Sequence, residues 1–258
     1  MRQTSFGGNL SIKISGRSTM LRRRETSVSG LIKRIDQNQP LSTSAIEPRI
    51  AVSQKQKLEA CQLAFQEYTK KGYIQNGSNG QLVLDYDTSS KTIIINAMSD
   101  DKLAGTITLT DPKHMPCLEL FKESVQSFGV ESEVSRFAVA DEFKNNKSVL
   151  NTLFDLILTI SIRVFNYDKL YIEVNPRHTG FYQKFLDFQV VSDVVQCSRV
   201  NNAPAVLMYL DLKNGNFNKP EFKNLNKPAL SEELIASIYE SGKIRNRIGV
   251  SQENIVEV

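Results

Sequence analysis

The stretch NPRHTGFYQKFLDFQVV, residues 175–191, follows a segment with the composition of a β-strand, KLYIEV (169–174). Pro176 cannot donate to a strand ladder, so it ends strand pairing at this point. The residues after it have the composition of a short helix, in which His178 and Tyr182 are four positions apart and share one face. The chain contains only two histidines. One placed at the end of a strand, beside a tyrosine, is therefore a candidate for chemistry.

Working outward from this stretch, hydrophobic periodicity and turn residues predict the other elements. Helices are predicted for residues 54–71, 117–129, 148–165 and 231–241, and strands for 81–87, 91–98, 102–110, 132–140, 188–195 and 203–212. Ser53 and Gln56 are spaced as a capping box before the first helix, and Gly72 is placed to end it. This mixed order predicts an α/β (α+β) fold with a mixed central sheet flanked by helices.

The composition is typical of a soluble globular protein, with 40% hydrophobic and 23% charged residues in 258. The most apolar stretch, residues 154–165, is interrupted by Asp155 and Arg163, which predicts a buried helix and not a membrane span. Three widely spaced cysteines predict reduced core thiols in a cytoplasmic protein. With two histidines and no clustered cysteines, the sequence indicates no metal site.

The charge distribution predicts three parts: a basic extension (1–48), a folded domain (49–212), and a polar linker with a C-terminal helix (213–258). Residues 1–48 carry eight basic and three acidic side chains. We interpret them as a mobile extension, with a tether to acidic membrane surfaces or to an acidic partner as the alternative. Because the rest of the chain is close to neutral, the overall charge does not indicate nucleic-acid binding.

Five stretches of the chain together resemble a known enzyme family. They are AFQEYTKKGYI, LAGTITLT, MPCLELFKE, EVSRFAV and NPRHTGFYQKFLDFQVV, in that order, and they span roughly residues 50–195. The chain resembles the N-acyl amino acid synthases, which share the GNAT-like acyltransferase fold with acyl-homoserine-lactone synthases. That resemblance implies a splayed pair of strands that forms the acyl-donor cleft. The glycine usual in the last stretch is Asp187 here.

The segment ADEFKNNKSVL (140–150) contains no glycine, whereas coenzyme-A-dependent members of this fold usually carry a glycine-rich loop there whose N–H groups bind pyrophosphate. Lys144, Lys147 and Ser148 lie instead where the next helix begins. This set suits a single phosphate, such as that of phosphopantetheine, and the resemblance implies acyl carrier protein as the donor, with no resident cofactor. The alternative is that both lysines belong to a solvated loop face.

Glu133 is the candidate general base. It opens the strand EVSRFAV, and the resembling families place a functionally important glutamate at the start of that strand. Its alternative role is a salt bridge with Arg136 or another cation. In a regular strand these two side chains would point to opposite faces, and a β-bulge would change that and free backbone N–H groups for the thioester. By position, Arg136, Phe137 and Arg177 are assigned to substrate binding.

Tyr182 inherits from the resemblance the role of the acid that protonates the leaving thiolate. His178 is predicted to orient the substrate or relay a proton, and its alternative is a structural, hydrogen-bonded histidine. Both residues are expected to border the same cleft as Glu133. No GxSxG elbow and no cysteine–histidine arrangement is visible, so direct attack by the amine is favoured over a covalent acyl-enzyme.

The sequence thus predicts an N-acyltransferase that moves a long-chain fatty acyl group from acyl carrier protein to the α-amine of an amino acid. One alternative is an acyl-homoserine-lactone synthase. Such enzymes usually carry N-terminal tryptophans, and this chain has none. The other is an acyl-binding or regulatory module without catalysis, since a fold does not fix a function.

Overall fold

A mixed sheet of eight strands forms the centre of the protein in a computed structural model that describes residues 45–74, 80–89, 91–125, 129–220, 222–227 and 229–243. The strands are β1 (Ile46–Ile50), β2 (Ile93–Ser99), β3 (Lys102–Leu109), β4 (Glu131–Val139), β5 (Lys169–Val174), β6 (Gln189–Val190), β7 (Val195–Cys197) and β8 (Ala203–Asp211). The helices are α1 (Gln54–Lys70), α2 (Cys117–Phe121), α3 (Lys147–Arg163), α4 (Thr179–Leu186) and α5 (Glu232–Lys243). The predicted α/β fold with a mixed sheet is confirmed.

The sheet opens at its centre, between β4 and β5. The strand order is β1-β2-β3-β4-β5-β8-β6, with β7 also paired to β8. The β4–β5 pair is parallel and covers only Glu131–Glu133 and Lys169–Tyr171, although both strands continue beyond it. β4 stays paired with β3, and β5 with β8, so the two halves of the sheet diverge. The predicted splayed pair of strands is present.

Helices cover both faces of the sheet, because alternate residues of a strand point to opposite sides. In β2, Ile94 packs with Ala60 of α1, whereas Ile93 and Ile95 belong to the core cluster that contains α3. α3 is buried over most of its length, as its composition predicted. In the part of the chain that the structure describes, no helix is long and apolar enough to cross a membrane.

Local signals placed the helix ends well. Ser53 and Gln56 form the predicted capping box at the start of α1, and Gly72 follows its last turn with φ +73°. The Ser231 hydroxyl accepts a hydrogen bond from the Leu234 N–H, 3.2 Å away, at the start of α5. Each of these contacts is made within one turn, so the sequence alone specifies it.

Four elements differ from the prediction. The strand predicted for 81–87 is wrong: this segment crosses the sheet face and ends in a 3₁₀ turn, because its side chains bind β4. The predicted helix 117–129 stops at Phe121, and the predicted strand 188–195 is reduced to β6 and the start of β7. The edge strand β1 was not predicted, and it begins inside the range assigned to the extension.

Residues after β8 pack against the core. Phe222 is 1% exposed and lies in the same core cluster as α3. The buried Asp155 carboxylate of α3 accepts hydrogen bonds from the backbone N–H groups of Asn224 and Leu225, at 2.8 and 3.1 Å. This segment was predicted as a polar linker because its composition is polar. One of its aromatic residues is nevertheless buried and attaches the segment to the core. The division of the chain into three parts stays a prediction.

If residues 213–227 are part of the folded unit, Phe222→Ala should lower the free energy of unfolding by about 3–5 kcal/mol, as expected for a buried phenylalanine. Tyr239→Ala in α5 is the matched control, since Tyr239 is 67% exposed and should change stability by less than about 0.5 kcal/mol. Urea unfolding measures both. Equal, small effects would contradict the packing of this segment.

Candidate active site

Glu133 is a buried carboxylate that forms no salt bridge with a lysine, arginine or histidine among the described residues. It lies on β4 and is 3% exposed. Its Oε2 accepts a hydrogen bond from the backbone N–H of Cys117, 2.9 Å away, at the start of α2. The salt bridge to Arg136 considered from the sequence is not formed, because Arg136 pairs with Asp87.

Burial raises the pKa of Glu133 to about 7, and the neighbouring Glu173 carboxylate acts in the same direction. The Cys117 N–H and the Arg199 guanidinium oppose this rise but do not cancel it. A carboxylate with a pKa near neutrality is half deprotonated at physiological pH and can both accept and return a proton. Glu133 therefore has the property that a general base requires.

A β-bulge in β4 brings Arg136 to the face that carries Glu133. Thr108 of β3 pairs with Ser135, and Thr106 pairs with Ala138, so one residue of β3 opposes two of β4. Arg136 has φ +48°, in the left-handed region. The bulge that the odd spacing required is present, and it interrupts the regular hydrogen-bond ladder at residues 136–137.

Arg136 is 4% exposed and its guanidinium is occupied by the protein. It forms an ion pair with Asp87 and donates to the Leu82 carbonyl (2.9 Å) and the Thr108 hydroxyl (3.1 Å). It also lies over the ring of Tyr86, 5.2 Å from the centroid. These contacts tie the 82–87 segment to β4, so Arg136 shapes the cavity wall and has little capacity left to bind a substrate.

Glu133 borders the larger of two cavities, with a volume of about 750 Å³. Its floor is β4 from Glu133 to Arg136. One wall is apolar and includes Ile74 and Leu84, and the other includes Met115 and Val200. A cavity of this size suits a small organic substrate, with one buried acid–base group at its floor.

Glu173 and Arg199 form an ion pair on the wall of the same cavity. Glu173 comes from β5, two residues after the partner of Glu133 in the β4–β5 pairing, so its side chain projects on the same face. Arg199 comes from the 3₁₀ turn that follows β7. Sequence analysis missed both residues, because only the fold brings β5 and this turn together.

Tyr182 and His178 border a second, smaller cavity of about 330 Å³, in the opening between β4 and β5. The Tyr182 ring contacts the rings of Phe154 and Phe188, and burial raises the pKa of its hydroxyl to about 12. His178 is largely exposed, and partial desolvation of its ring, together with the charge of the nearby Arg177, lowers its pKa. Glu133 lines the larger cavity and not the smaller one, so the expectation that all three residues border one cleft stays a prediction.

The two cavities nevertheless share a wall, because both lie against the same part of β4. The shared lining residues are Tyr68, Val134, Ser135, Arg136, Glu173 and Val200. Ser135 lies between the cavities on β4 and its hydroxyl is 3.0 Å from that of Tyr86. A group in one cavity can therefore approach a group in the other at Ser135.

Phe137 and Arg177 lie near the smaller cavity in different ways. Phe137 lines it and packs its ring 5.8 Å from that of Phe154. Arg177 is exposed, and donates to the Tyr73 hydroxyl (3.0 Å) and to His178 Nε2 (3.1 Å). The contact of Arg177 with Tyr73 helps to form the cavity, and its contact with His178 orients the His178 ring.

Lys144, Lys147 and Ser148 are exposed around the start of α3, and the lining of the two described cavities does not include them. Lys144 is held in an ion pair with Glu67, 2.8 Å away, and in another with Asp141. Lys71, which sequence analysis passed over, does line the smaller cavity. Burial and the neighbouring Lys144 lower the pKa of its ammonium group.

The two cavities place a candidate base and a candidate acid on opposite sides of the wall that they share. A base with a pKa near 7 borders one cavity, and a neutral tyrosine hydroxyl borders the other. Acyl transfer from a thioester to an amine needs one group to take a proton from the amine and one to give a proton to the thiolate. The strand between the cavities carries the bulge, where donors for an oxyanion are expected.

Comparison with known proteins places this geometry in context. The structure of FeeM, an N-acyl amino acid synthase from uncultured soil microbes, matches with a TM-score of 0.57 and 21% identity over 67% of this chain and 93% of that chain. The acyl-homoserine-lactone synthases LasI and BjaI have the same fold. LasI matches with a TM-score of 0.53 and 15% identity over 66% of this chain and 91% of that chain. BjaI matches with a TM-score of 0.52 and 12% identity over 80% of this chain and 100% of that chain. No curated protein matches the sequence.

The fold of this chain is the GNAT-like acyltransferase fold that these structures share. The family model described as N-acyl amino acid synthase FeeM matches residues 59–211, more than half of the chain. This chain belongs to the FeeM family of N-acyl amino acid synthases, as the sequence resemblance indicated. The matched range includes Glu133, Tyr182 and both cavities' shared strand.

Glu133→Gln should reduce kcat by about 10²-fold or more, because it removes the proton acceptor and keeps the shape of the side chain. A base must be deprotonated to act, so wild-type activity should rise with pH through about 7, and this limb should disappear in the variant. The pH dependence of kcat with saturating substrates measures both effects.

Stability gives an independent check on this variant. The folded pKa of Glu133 lies above its ordinary value near 4.5, so its ionisation opposes folding as pH rises from 4.5 towards 7. Glu133→Gln should therefore be at least as stable as the wild type above pH 7. The control is Glu131→Gln, a buried glutamate on the same strand that borders neither described cavity. A similar loss of activity in both variants would remove Glu133 from the mechanism.

Proposed function

We propose that this protein transfers a fatty acyl group from acyl carrier protein to the α-amine of an amino acid. The observation that carries the proposal is the pair of cavities that meet at Ser135, with Glu133 on one side and Tyr182 on the other. The acceptor amine would occupy the larger cavity, and the phosphopantetheine arm of the donor would occupy the smaller one. The thioester carbonyl would then lie at the junction, beside the β4 bulge.

The reaction follows from this assignment. The α-ammonium group of a free amino acid is largely protonated at neutral pH, so Glu133 takes a proton from it to give the free amine. The amine nitrogen attacks the thioester carbonyl, and N–H groups at the bulge stabilise the oxyanion. The C–N bond forms, the C–S bond breaks, and Tyr182 gives its proton to the departing thiolate. The nitrogen then gives up its second proton, which restores the Tyr182 hydroxyl, and Glu133 releases the first proton to solvent, so that the product is a neutral amide, an N-acyl amino acid.

The start of α3 supports a donor with one phosphate over one with a pyrophosphate. Several backbone N–H groups of this loop already have partners within the chain: Phe143, Lys144, Asn146, Ser148 and Val149. The N–H of Ser148, for example, donates to the Asn146 side chain, 3.0 Å away. A pyrophosphate site needs several free N–H groups directed at the ligand. Coenzyme A is the alternative donor, since BjaI is described as CoA-dependent.

The cations of this region are assigned accordingly. Lys144 is paired with carboxylates, so we assign the phosphate to Lys71, which lines the smaller cavity, and to the exposed Lys147. Arg177 contacts His178, which borders the smaller cavity, and its positive charge would guide a carrier protein of opposite charge. Residues 1–48, which lie almost wholly outside the described residues, remain a proposed basic extension. We place the enzyme in the cytoplasm, where such carriers would meet it.

Charge reversal tests the donor site. Lys71→Glu and Lys147→Glu should each raise KM for acyl carrier protein and weaken its salt dependence, because complementary charge mainly guides encounter. Lys184→Glu on the exposed side of α4 is the control for Lys71→Glu, since Lys184 lines neither described cavity. Acyl-coenzyme A should be a poor donor. Equal kcat/KM for coenzyme A and carrier-protein thioesters would contradict the choice of donor.

The acid is tested by removing one hydroxyl at a time. Tyr182→Phe should slow single-turnover acyl transfer by about 10²-fold, the low end of the range for such groups, because a thiolate is a moderate leaving group. Donor affinity should be unchanged. Tyr68 lines both cavities and also has a hydroxyl, so Tyr68→Phe is the matched control. A larger loss in Tyr68→Phe than in Tyr182→Phe would assign the acid to Tyr68.

A further inference from the structure

The larger cavity carries more charge than proton transfer alone requires. Its lysine and arginine lining residues are Lys113, Arg136 and Arg199, its acidic lining residues are Glu119, Glu133 and Glu173, and the exposed His114 lines it as well. Arg136 is fully engaged by Asp87 and the 82–87 segment, as described above. Lys113 and Glu119 are exposed at the surface. Arg199 and Glu173 are the charged pair that remains beside the base.

Arg199 is anchored by Glu173, beside the Cys197 thiol, and keeps N–H donors that these contacts leave over. Its Nη2 atom donates to Glu173 Oε2, and its side chain is 22% exposed. A guanidinium group has five N–H donors in a planar fork, which is more than one carboxylate oxygen can accept. Burial of the group is offset by the Glu173 charge, so the pKa of Arg199 stays above its ordinary value and the group remains charged.

The three charged groups match the two charges of an amino acid. Glu133 and Glu173 project from neighbouring strands on one face of the sheet, and Arg199 contacts Glu173 from the cavity wall. An α-amino acid carries an ammonium and a carboxylate on a single carbon. If the ammonium group of the amino acid lies at Glu133, the carboxylate of the amino acid lies in the same small region. There the planar guanidinium of Arg199 can bind it by donating two hydrogen bonds.

We propose that Arg199, oriented by Glu173, binds the α-carboxylate of the acceptor and so selects amino acids over amines that lack this group. The proposal rests on the proposed N-acyl transfer and adds the residue that recognises the acceptor. Arg199 is then a specificity-determining residue, and Glu173 is a positioning residue that acts through it. The same contact would place the α-nitrogen next to Glu133, so recognition and proton transfer would be coupled.

The test compares an amino acid with its own α-amide, which keeps the amine and side chain and removes the negative charge. The amino acid is the one that the wild type acylates best in a panel of the standard amino acids. Wild-type kcat/KM should favour the acid over the amide. In Arg199→Gln this preference should fall by about 10-fold or more, the loss expected for a charge-assisted hydrogen bond, through KM of the acid.

Three companion variants make the result specific. Arg199→Lys keeps the charge without the fork and should retain an intermediate preference, and Glu173→Gln should weaken the preference less than Arg199→Gln. Lys113→Gln, a cation exposed at the same cavity, should leave the preference unchanged. An equal loss for acid and amide in Arg199→Gln would overturn the proposal. So would a loss of preference in Lys113→Gln that matches it.

A binding measurement separates this proposal from the one on which it rests. Calorimetric titration of acid and amide into the wild type and Arg199→Gln reports recognition without turnover. Binding that depends on both the carboxylate and Arg199, with no acyl transfer to any amine, would overturn the proposed reaction and retain the role of Arg199. Acyl transfer with no carboxylate preference in the wild type would retain the reaction and overturn the role of Arg199.

Discussion

The buried ion pair between Arg136 and Asp87 is the interaction on which the two cavities depend. Arg136 can reach Asp87 only because the β4 bulge turns it to the face that already carries Glu133 and Ser135. In return, Asp87 satisfies a buried guanidinium whose desolvation would otherwise be costly. The pair also holds the 82–87 segment across the sheet, and this segment supplies one wall of the larger cavity.

The bulge lies in the opening of the sheet. The β4–β5 pairing ends at Glu133, before the bulge, so residues 136–137 lie where β4 has no partner on the β5 side. An opening inside a sheet exposes backbone groups in a fixed arrangement, and fixed dipoles stabilise developing charge without reorganisation. The strain of a left-handed arginine is thus found at the point where chemistry needs irregular backbone.

The charges of the site are distributed unequally. Glu133 receives one backbone N–H, and its pKa rises towards neutrality. Glu173, two residues beyond the paired part of β5, receives the Arg199 guanidinium instead. Two carboxylates on neighbouring strands therefore have different surroundings, and burial without a salt-bridge partner leaves Glu133 able to exchange a proton near pH 7. The difference arises from which partner each one meets.

The sequence by itself determined the family, the mixed sheet, most helix bounds and the identity of Glu133 and Tyr182 as candidates, because these depend on local periodicity, caps and short motifs. It missed β1 and took 81–87 for a strand, since an alternating apolar segment looks the same whether it joins a sheet edge or crosses its face. The tertiary structure alone decided that Glu133 and Tyr182 border different cavities, and that Lys71 and Arg199 line them. Those placements depend on contacts between residues far apart in the chain, and no local signal in the sequence encodes them.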